Sequence, residues 1–173
     1  PAAAIALTNG ATIATSIATG ANNYLMVVNG VDTLKQYDGA AWTAIATFGA
    51  TATSNYSYIE TYRQRLYLIR KNTLTIEYLP VNSIAGATVT YDTGAIFRRG
   101  GKLVALGTWT IDGGVGAEDK LVAVTSQGEV AVFAGSDPAS SANWSLQGVY
   151  YIGKPLGAQP LTKASGDLIY VSE

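Results

Sequence analysis

The sequence contains no cysteine and no histidine among its 173 residues. Disulfide bonds and thiolate ligands are therefore excluded. Ser-His-Asp and Cys-His catalytic groups are excluded as well, together with zinc sites built from imidazole or thiolate. The chemistry that remains is that of carboxylates, hydroxyls, amines and aromatic rings.

Charged side chains are also scarce, at 13% of the residues, about half of the roughly 25% that is usual in soluble domains. The net charge of −1 gives no general electrostatic attraction to nucleic acid or to an anionic membrane. A surface with so few charges fits two situations. Either subunits cover it in a large assembly, or Ser, Thr, Asn and Gly coat a soluble domain.

Long apolar stretches are missing too. No segment approaches the roughly 18 consecutive apolar residues that a membrane-spanning helix needs. The N-terminus has no basic region, so it does not resemble a secretory signal. We therefore expect no membrane among the partners of this protein.

The sequence does contain many short patterns that are typical of β-strands. Residues 74–78 alternate between apolar and polar side chains, as a half-buried strand does. Residues 66–69 and 121–124 are continuous apolar runs, which fit buried strands. Glycine-containing breaks separate the runs and predict tight turns at 29–30, 38–39, 100–101, 113–114 and 127–128. The pattern predicts an all-β fold without a confident helix.

An internal repeat is the most informative feature of the sequence. An apolar run of four residues recurs at 25–28, 66–69, 121–124 and 168–171. After each of the first three runs come a turn and a second strand that ends in an aromatic residue, at Tyr37, Tyr78 and Phe133. The runs start roughly 40 to 55 residues apart, which suits propeller blades of four strands.

We therefore expect one β-propeller-like domain over residues 1–173, with about three and a half four-stranded antiparallel blades. The repeat units are expected at 22–59, 60–102, 103–157 and, truncated, 158–173. So few blades do not close a ring, and unpaired strand edges invite aggregation. The sequence therefore predicts a fragment of a longer chain, or completion by neighbouring chains. A β-sandwich with coincidental hairpins is the alternative fold.

A small basic loop is the candidate contact site. Arg98, Arg99 and Lys102 flank two glycines, and they are suited to DNA phosphates or to an acidic patch on a neighbouring subunit. Residues 60–102 hold seven basic side chains against three acidic ones, and such an asymmetry of sign favours docking of unlike faces around a ring. A solvated loop without a partner is the alternative.

Carboxylates and aromatic rings offer two further kinds of site. Glu60, Glu77 and Glu129 are the candidates for a glycosidase pair, but their place in or beside strands predicts ordinary outward-facing positions. The glycine-rich residues 112–119 contain three carboxylates without EF-hand spacing, so an inter-strand turn is favoured over a calcium site. We expect no catalytic residues, no metal and no cofactor.

The aromatic residues admit two interpretations. An exposed row of tyrosine and tryptophan side chains could bind sugars or stack bases. However, Trp42 and Trp144 recur at matching places in their units, which favours packing between blades. Tyr37, Tyr78 and Phe133 share one repeat position, so they are assigned to the core.

Several stretches in combination resemble a known family. They are YLMVVNGVD at 24–32 with YDG at 37–39 and Trp42; RLY at 65–67 with NTL at 72–74 and YLP at 78–80; and GTWTIDGG at 107–114 with VTSQGEVAV at 124–132, Asp137-Pro138 and Trp144. These residues resemble the propeller-bearing tail-nozzle proteins of short-tailed bacteriophages, also called packaged-DNA stabilisation proteins. The resemblance extends over residues 22–173.

This resemblance implies a structural, non-enzymatic protein of the virion tail or neck. Such a protein forms a homo-oligomeric ring around the DNA exit channel, usually a hexamer. It contacts other phage tail, adaptor or portal proteins, and it touches packaged DNA weakly and transiently. The alternative function, from another class, is a carbohydrate- or receptor-binding propeller module of the adhesin kind.

Overall fold

The computed structural model describes residues 5–112 and 116–173. The fold is all-β, with three four-stranded antiparallel sheets and no α-helix in the described parts of the chain. Sheet I contains β1 (Ile13–Ala18), β2 (Asn23–Val28), β3 (Leu34–Tyr37) and β4 (Trp42–Ile45). A short hairpin of β5 (Thr47–Phe48) and β6 (Thr51–Ala52) follows, and then a 3-10 turn at Thr53–Asn55.

The remaining strands continue the same pattern. Sheet II contains β7 (Tyr56–Tyr62), β8 (Arg65–Arg70), β9 (Thr75–Tyr78) and β10 (Val89–Asp92). Sheet III contains β11 (Leu103–Asp112), β12 (Ala117–Thr125), β13 (Glu129–Gly135) and β14 (Trp144–Tyr151). A final hairpin pairs β15 (Leu161–Ala164) with β16 (Asp167–Tyr170). In each four-stranded sheet the spatial order of the strands follows their order in the chain.

The chain divides into two compact units. Unit 1 comprises residues up to Lys71 together with Ile76–Thr90, and unit 2 comprises Asn72–Thr75 together with Tyr91–Glu173. Unit 1 is held by an apolar core between sheets I and II. Its buried residues are Ile17, Met26, Val28, Leu34, Phe48, Tyr56, Ile59, Leu66, Leu68 and Leu79. A hydrogen bond of 3.1 Å from the Thr15 hydroxyl to the Thr61 hydroxyl joins β1 to β7.

Unit 2 combines sheet III with the β15–β16 hairpin. Phe133 and Trp144 stack with ring centroids 5.3 Å apart, and Tyr91 meets both rings edge-on. The hairpin packs on β11, where Gly107 leaves room for Leu168, since a Cβ at Gly107 would lie 2.9 Å from a Leu168 methyl carbon. The Thr110 amide donates to the Gly166 carbonyl at 2.9 Å, which joins the hairpin turn to the sheet.

The four apolar runs predicted from the sequence all begin in second strands. The leucines that start them, Leu25, Leu66, Leu121 and Leu168, lie in β2, β8, β12 and β16. The sheets begin at residues 13, 56 and 103, whereas the sequence placed the unit boundaries at 22, 60 and 103. The first two boundaries differ because β1 and most of β7 precede the apolar runs and were not included in the predicted units, whereas the third boundary agrees.

The assignment of this aromatic repeat position to the core is confirmed for two of the three residues. Tyr78 and Phe133 are buried, whereas Tyr37 is half-buried and lies beside Trp42 with ring centroids 5.1 Å apart. Trp144 is buried and Trp42 is half-buried. Sheet I therefore keeps part of its aromatic pair accessible, whereas the corresponding pair of sheet III is enclosed.

Candidate functional site

The basic loop at residues 98–102 connects β10 to β11 in unit 2. Arg98, Arg99 and Lys102 are all exposed. Gly100 and Gly101 have φ of 64° and 86°, a left-handed conformation that glycine adopts without strain. A Cβ at Gly101 would also lie 2.5 Å from the Ser126 hydroxyl, so the loop runs directly against the β12–β13 turn. The sequence pattern Arg-Arg-Gly-Gly-Lys thus produces a tight surface loop that carries three cations.

Glu129, the first residue of β13, anchors this loop. One carboxylate oxygen accepts a hydrogen bond from the Arg98 amide at 3.0 Å, and the other accepts one from the Arg99 amide at 2.7 Å. Hydrogen bonds to an ionised acceptor are stronger than those between neutral groups. The carboxylate therefore fixes the backbone from which the two arginine side chains project.

The outward-facing position predicted for Glu129 is wrong, because its side chain is buried beneath the loop. A carboxylate is tolerated there because two backbone donors satisfy it. The sequence could not show this arrangement, since the two amides come from a loop about thirty residues earlier in the chain.

Lys102 is tied to a different neighbour from the two arginines. Its amine donates to the side-chain oxygen of Asn72 at 3.0 Å, and its amide donates to the Ser126 hydroxyl at 3.2 Å. The Lys102 charge is therefore directed towards Asn72. Of the three predicted contact residues, the two arginines share an anchor and Lys102 has its own.

Tyr151, at the end of β14, is a component of the site that the sequence analysis did not find. The guanidinium carbon of Arg99 lies 3.8 Å from the centre of the Tyr151 ring. Such a cation–π contact contributes about 0.5–1 kcal/mol at an exposed position. Tyr150, which precedes it in β14, is also exposed, but successive strand residues face opposite sides, so Tyr150 does not share the face of Tyr151. Tyr151 reaches the basic loop because it pairs across β13 and β14 with Glu129, the residue that anchors the loop.

The other four basic residues of the predicted cluster belong to unit 1. Arg63 and Arg65 lie over the rings of Tyr62 and Tyr78. The Lys71 amine donates to the Gly30 carbonyl at 2.7 Å. The fourth, Arg70, pairs with Glu77 at 3.5 Å. These four side chains make contacts within their own unit.

Glu77, in β9, is buried as well, contrary to the outward-facing position expected from the sequence. It accepts hydrogen bonds from the hydroxyl of Tyr56 at 2.5 Å and from that of Thr88 at 2.6 Å. Burial, followed by this bond to Glu77, raises the pKa of Tyr56 to about 12. Glu60 is half-buried in β7. Glu77 and Glu129 thus satisfy internal donors and belong to different units.

The carboxylate-rich segment 112–119 can be described only in part. Residues 113–115 lie outside the described residues, so the predicted turn at 113–114 and the calcium alternative are not addressed there. In the parts of the chain that the structure does describe, no three His, Cys, Asp or Glu side chains group as metal ligands. No described helix has the length and apolar character needed to cross a membrane.

Comparison with known proteins gave no relative. No protein-family model matches the chain, and neither a curated protein nor a solved structure is significantly similar to it. Function is therefore inferred from the sequence pattern and from the geometry of the basic loop.

Proposed function

We propose that this protein is a structural, non-enzymatic component of a tailed-bacteriophage virion, part of the tail nozzle or neck ring that lines or closes the DNA exit path. In this proposal sheets I to III are three blades of a β-propeller-like array, and the β15–β16 hairpin is the start of a fourth. Copies of the chain assemble into a homo-oligomeric ring in contact with other tail, adaptor or portal proteins.

The observation that carries the proposal is the regular succession of four-stranded antiparallel sheets, each with its apolar run in the second strand. In repeat proteins every unit is stabilised mainly by its neighbours, and the result is a stiff, extended wall. This architecture supports a mechanical function. It agrees with the resemblance of residues 22–173 to nozzle proteins, which supplies the virion context.

The basic loop supports a contact with a subunit or with DNA. Arg98 and Arg99 project from a backbone that Glu129 holds in place, so their charges are presented with little loss of loop entropy. Three exposed cations neutralise few phosphates, and binding to DNA would be weak and strongly reduced by salt. Weak contact suits a channel through which DNA must slide.

The proposal is tested first by the assembly state of the purified chain. We expect cryo-electron microscopy class averages to show rings with a central channel, and sedimentation to show a closed oligomer. The triple variant Arg98→Glu, Arg99→Glu, Lys102→Glu should lose salt-sensitive binding to duplex DNA in fluorescence anisotropy, or lose ring formation. Lys163→Glu, an exposed cation on β15, is the matched control. A chain that stays monomeric and ignores DNA would contradict the proposal.

A second candidate function is a carbohydrate- or receptor-binding module. The exposed Tyr150 and Tyr151, which face opposite sides of β14, each provide an aromatic ring of the kind on which sugars pack. A glycan array distinguishes the two functions. Saturable binding that is lost in Tyr150→Ala, Tyr151→Ala would favour this module, whereas ring assembly without glycan binding favours the nozzle.

A further inference from the structure

The dipeptide Asn-Gly occurs twice in the sequence, at Asn9-Gly10 and at Asn29-Gly30. In this dipeptide an asparagine side chain is readily lost as ammonia, because glycine has no Cβ to obstruct attack on the side chain by its own backbone nitrogen. Both copies lie in unit 1, one before β1 and the other between β2 and β3. The two sites are chemically equivalent, so the surrounding structure decides how each one reacts.

The Asn29 side chain is held at both of its polar atoms. Its Nδ2 donates to a carboxylate oxygen of Asp32 at 2.7 Å. Its Oδ1 accepts from the amide of Val31 at 3.0 Å and from that of Asp32 at 2.8 Å, and the residue is 9% exposed. Because an ionised carboxylate is only an acceptor, Asp32 holds the Asn29 nitrogen without supplying the proton that it needs to leave as ammonia.

Gly30 is fixed by residues from outside its own turn. It is buried with a φ of 73°, and its carbonyl accepts a hydrogen bond from the Lys71 amine at 2.7 Å. A Cβ at this position would lie 3.7 Å from the Cα of Ser57 in β7, so the neighbouring chain packs closely against it. Ring closure requires the Gly30 nitrogen to reach the side-chain carbon of Asn29, and these contacts limit the rotation that brings the two atoms together.

Asn9 and Gly10 are held by local contacts. The Ala11 amide donates to Oδ1 of Asn9 at 3.2 Å, and no described residue accepts a hydrogen bond from its Nδ2. Gly10 is exposed, its carbonyl accepts from the Thr12 amide at 2.9 Å, and a Cβ there would meet nothing within 4 Å. The Ala11 amide points at the oxygen that gains negative charge during ring closure, so this bond does not oppose the reaction.

We propose that Asn9 is a site of spontaneous modification, where aspartate and isoaspartate replace asparagine, and that Asn29 is a protected copy of the same dipeptide. The Gly10 nitrogen gives its proton to water and bonds to Cγ of Asn9. The bond from Cγ to Nδ2 breaks, and Nδ2 takes a proton from water and leaves as ammonia. Water then opens the resulting succinimide at either carbonyl, which gives aspartate or isoaspartate. Water is the only co-reactant, and the inference is independent of the proposed nozzle function.

The modification acts on a contact that holds the segment before β1. Thr8, the neighbour of Asn9, donates from its amide and from its hydroxyl to the Asp32 carboxylate. The carboxylate formed at position 9 has the same sign as Asp32, so the two repel each other. Isoaspartate also lengthens the main chain by a methylene group beside Thr8. We therefore expect the contact between Thr8 and Asp32 to weaken in the modified chain.

The test incubates the full chain in a mildly alkaline buffer, at a temperature where it stays folded, and follows both sites by peptide mapping with mass spectrometry. The same chain unfolded in urea gives the intrinsic rate of each dipeptide. Relative to these rates, Asn9 should react more than about tenfold faster than Asn29 in the folded chain, because Asn29 reacts only when its turn opens. The hydrogen-exchange protection of the Thr8 amide should fall as Asn9 is converted.

Gly10→Ala tests the chemical route. Gly10 is not in the left-handed conformation and lies in open space, so the added methyl group is accommodated in the fold. The methyl group obstructs attack by the backbone nitrogen, and the conversion of Asn9 should slow by about tenfold while Asn29 is unchanged.

Two further variants test the protection of Asn29. Asp32→Ala removes the acceptor of the Asn29 nitrogen, and Lys71→Ala, at an exposed position, releases the Gly30 carbonyl. Each should raise the rate at Asn29, and circular dichroism shows which variants are folded; Lys71→Ala alone decides the point if Asp32→Ala unfolds. Equal relative rates at Asn9 and Asn29 in the folded wild type would overturn the proposal. A rate at Asn9 that Gly10→Ala leaves unchanged would also overturn it, as would an Asn29 that stays inert in every folded variant.

Discussion

Replacing Glu129 by alanine tests whether one buried carboxylate fixes the basic loop. The change removes the acceptor of both the Arg98 and the Arg99 amides. Hydrogen bonds to charged groups contribute about 1.5–3 kcal/mol each, and two of them give an upper range of about 3–6 kcal/mol. Because the loop is at the surface, the released amides can bind water. We therefore expect the free energy of unfolding to fall by about 2–4 kcal/mol.

Two measurements separate a local effect from a global one. Urea denaturation gives the change in the free energy of unfolding, and amide hydrogen exchange reports on Arg98 and Arg99 individually. Both amides should exchange much faster in Glu129→Ala, whereas the amides of β12 should change only with global stability. Glu173→Gln, which alters an exposed carboxylate, is the control and should change stability by less than about 0.5 kcal/mol. A loss below about 1 kcal/mol with both loop amides still protected would refute the anchoring argument.

Three further changes test other parts of the structure. Gly128 has a φ of 82°, and a Cβ there would overlap neighbouring backbone, so Gly128→Ala should lower the free energy of unfolding by at least about 2 kcal/mol in thermal or urea unfolding. Gly157 has a φ of 80° but lies in open space, so Gly157→Ala should lower it by only about 1 kcal/mol. Equal losses in the two variants would contradict the explanation by packing. Burial raises the pKa of Tyr58 to about 12 from an ordinary 10.0, so the stability from its neutral form is complete below pH 10 and is lost as pH rises towards 12. Tyr58→Phe should flatten that alkaline loss in urea titrations, and an unchanged profile would assign it to other groups. Hydrogen bonds from Thr8 lower the pKa of Asp32 to about 2 from 3.8, so the contact is complete above pH 3.8 and is lost as pH falls through about 2. The protection of the Thr8 amide relative to its intrinsic exchange rate should fall over that interval, and also at neutral pH in Asp32→Asn. Protection that is indifferent to both changes would count against the contact.

The sequence predicted the strand content and its repetition because these depend on local patterns. Four apolar residues followed by a glycine turn describe a buried hairpin without any knowledge of its neighbours. The first strand, β1, was missed for a physical reason. Its outward positions are Ala14, Ser16 and Ala18, so it shows little contrast between apolar and polar faces.

The candidate site was predictable only in part. The three cations of the loop are contiguous in sequence, and the structure leaves all three exposed as expected. Glu129 and Tyr151 could not be found in that way, because they reach the loop only through the register of β13 with β14. The pattern of apolar and polar residues in the sequence also could not distinguish a glutamate that faces solvent from one that lies under a loop and accepts hydrogen bonds from the loop amides.

Successive residues of the second strands face opposite sides of the sheet, and this limits where residues can be inserted into the chain. A single-residue insertion within β2, β8 or β12 would exchange the two faces downstream of it and turn core side chains the wrong way. Connections between strands carry no such parity, and they already vary in length from one sheet to the next. Tags and inserted peptides should therefore be tolerated at the exposed Ala85 and Gly86, in the connection between β9 and β10, and rejected within any second strand.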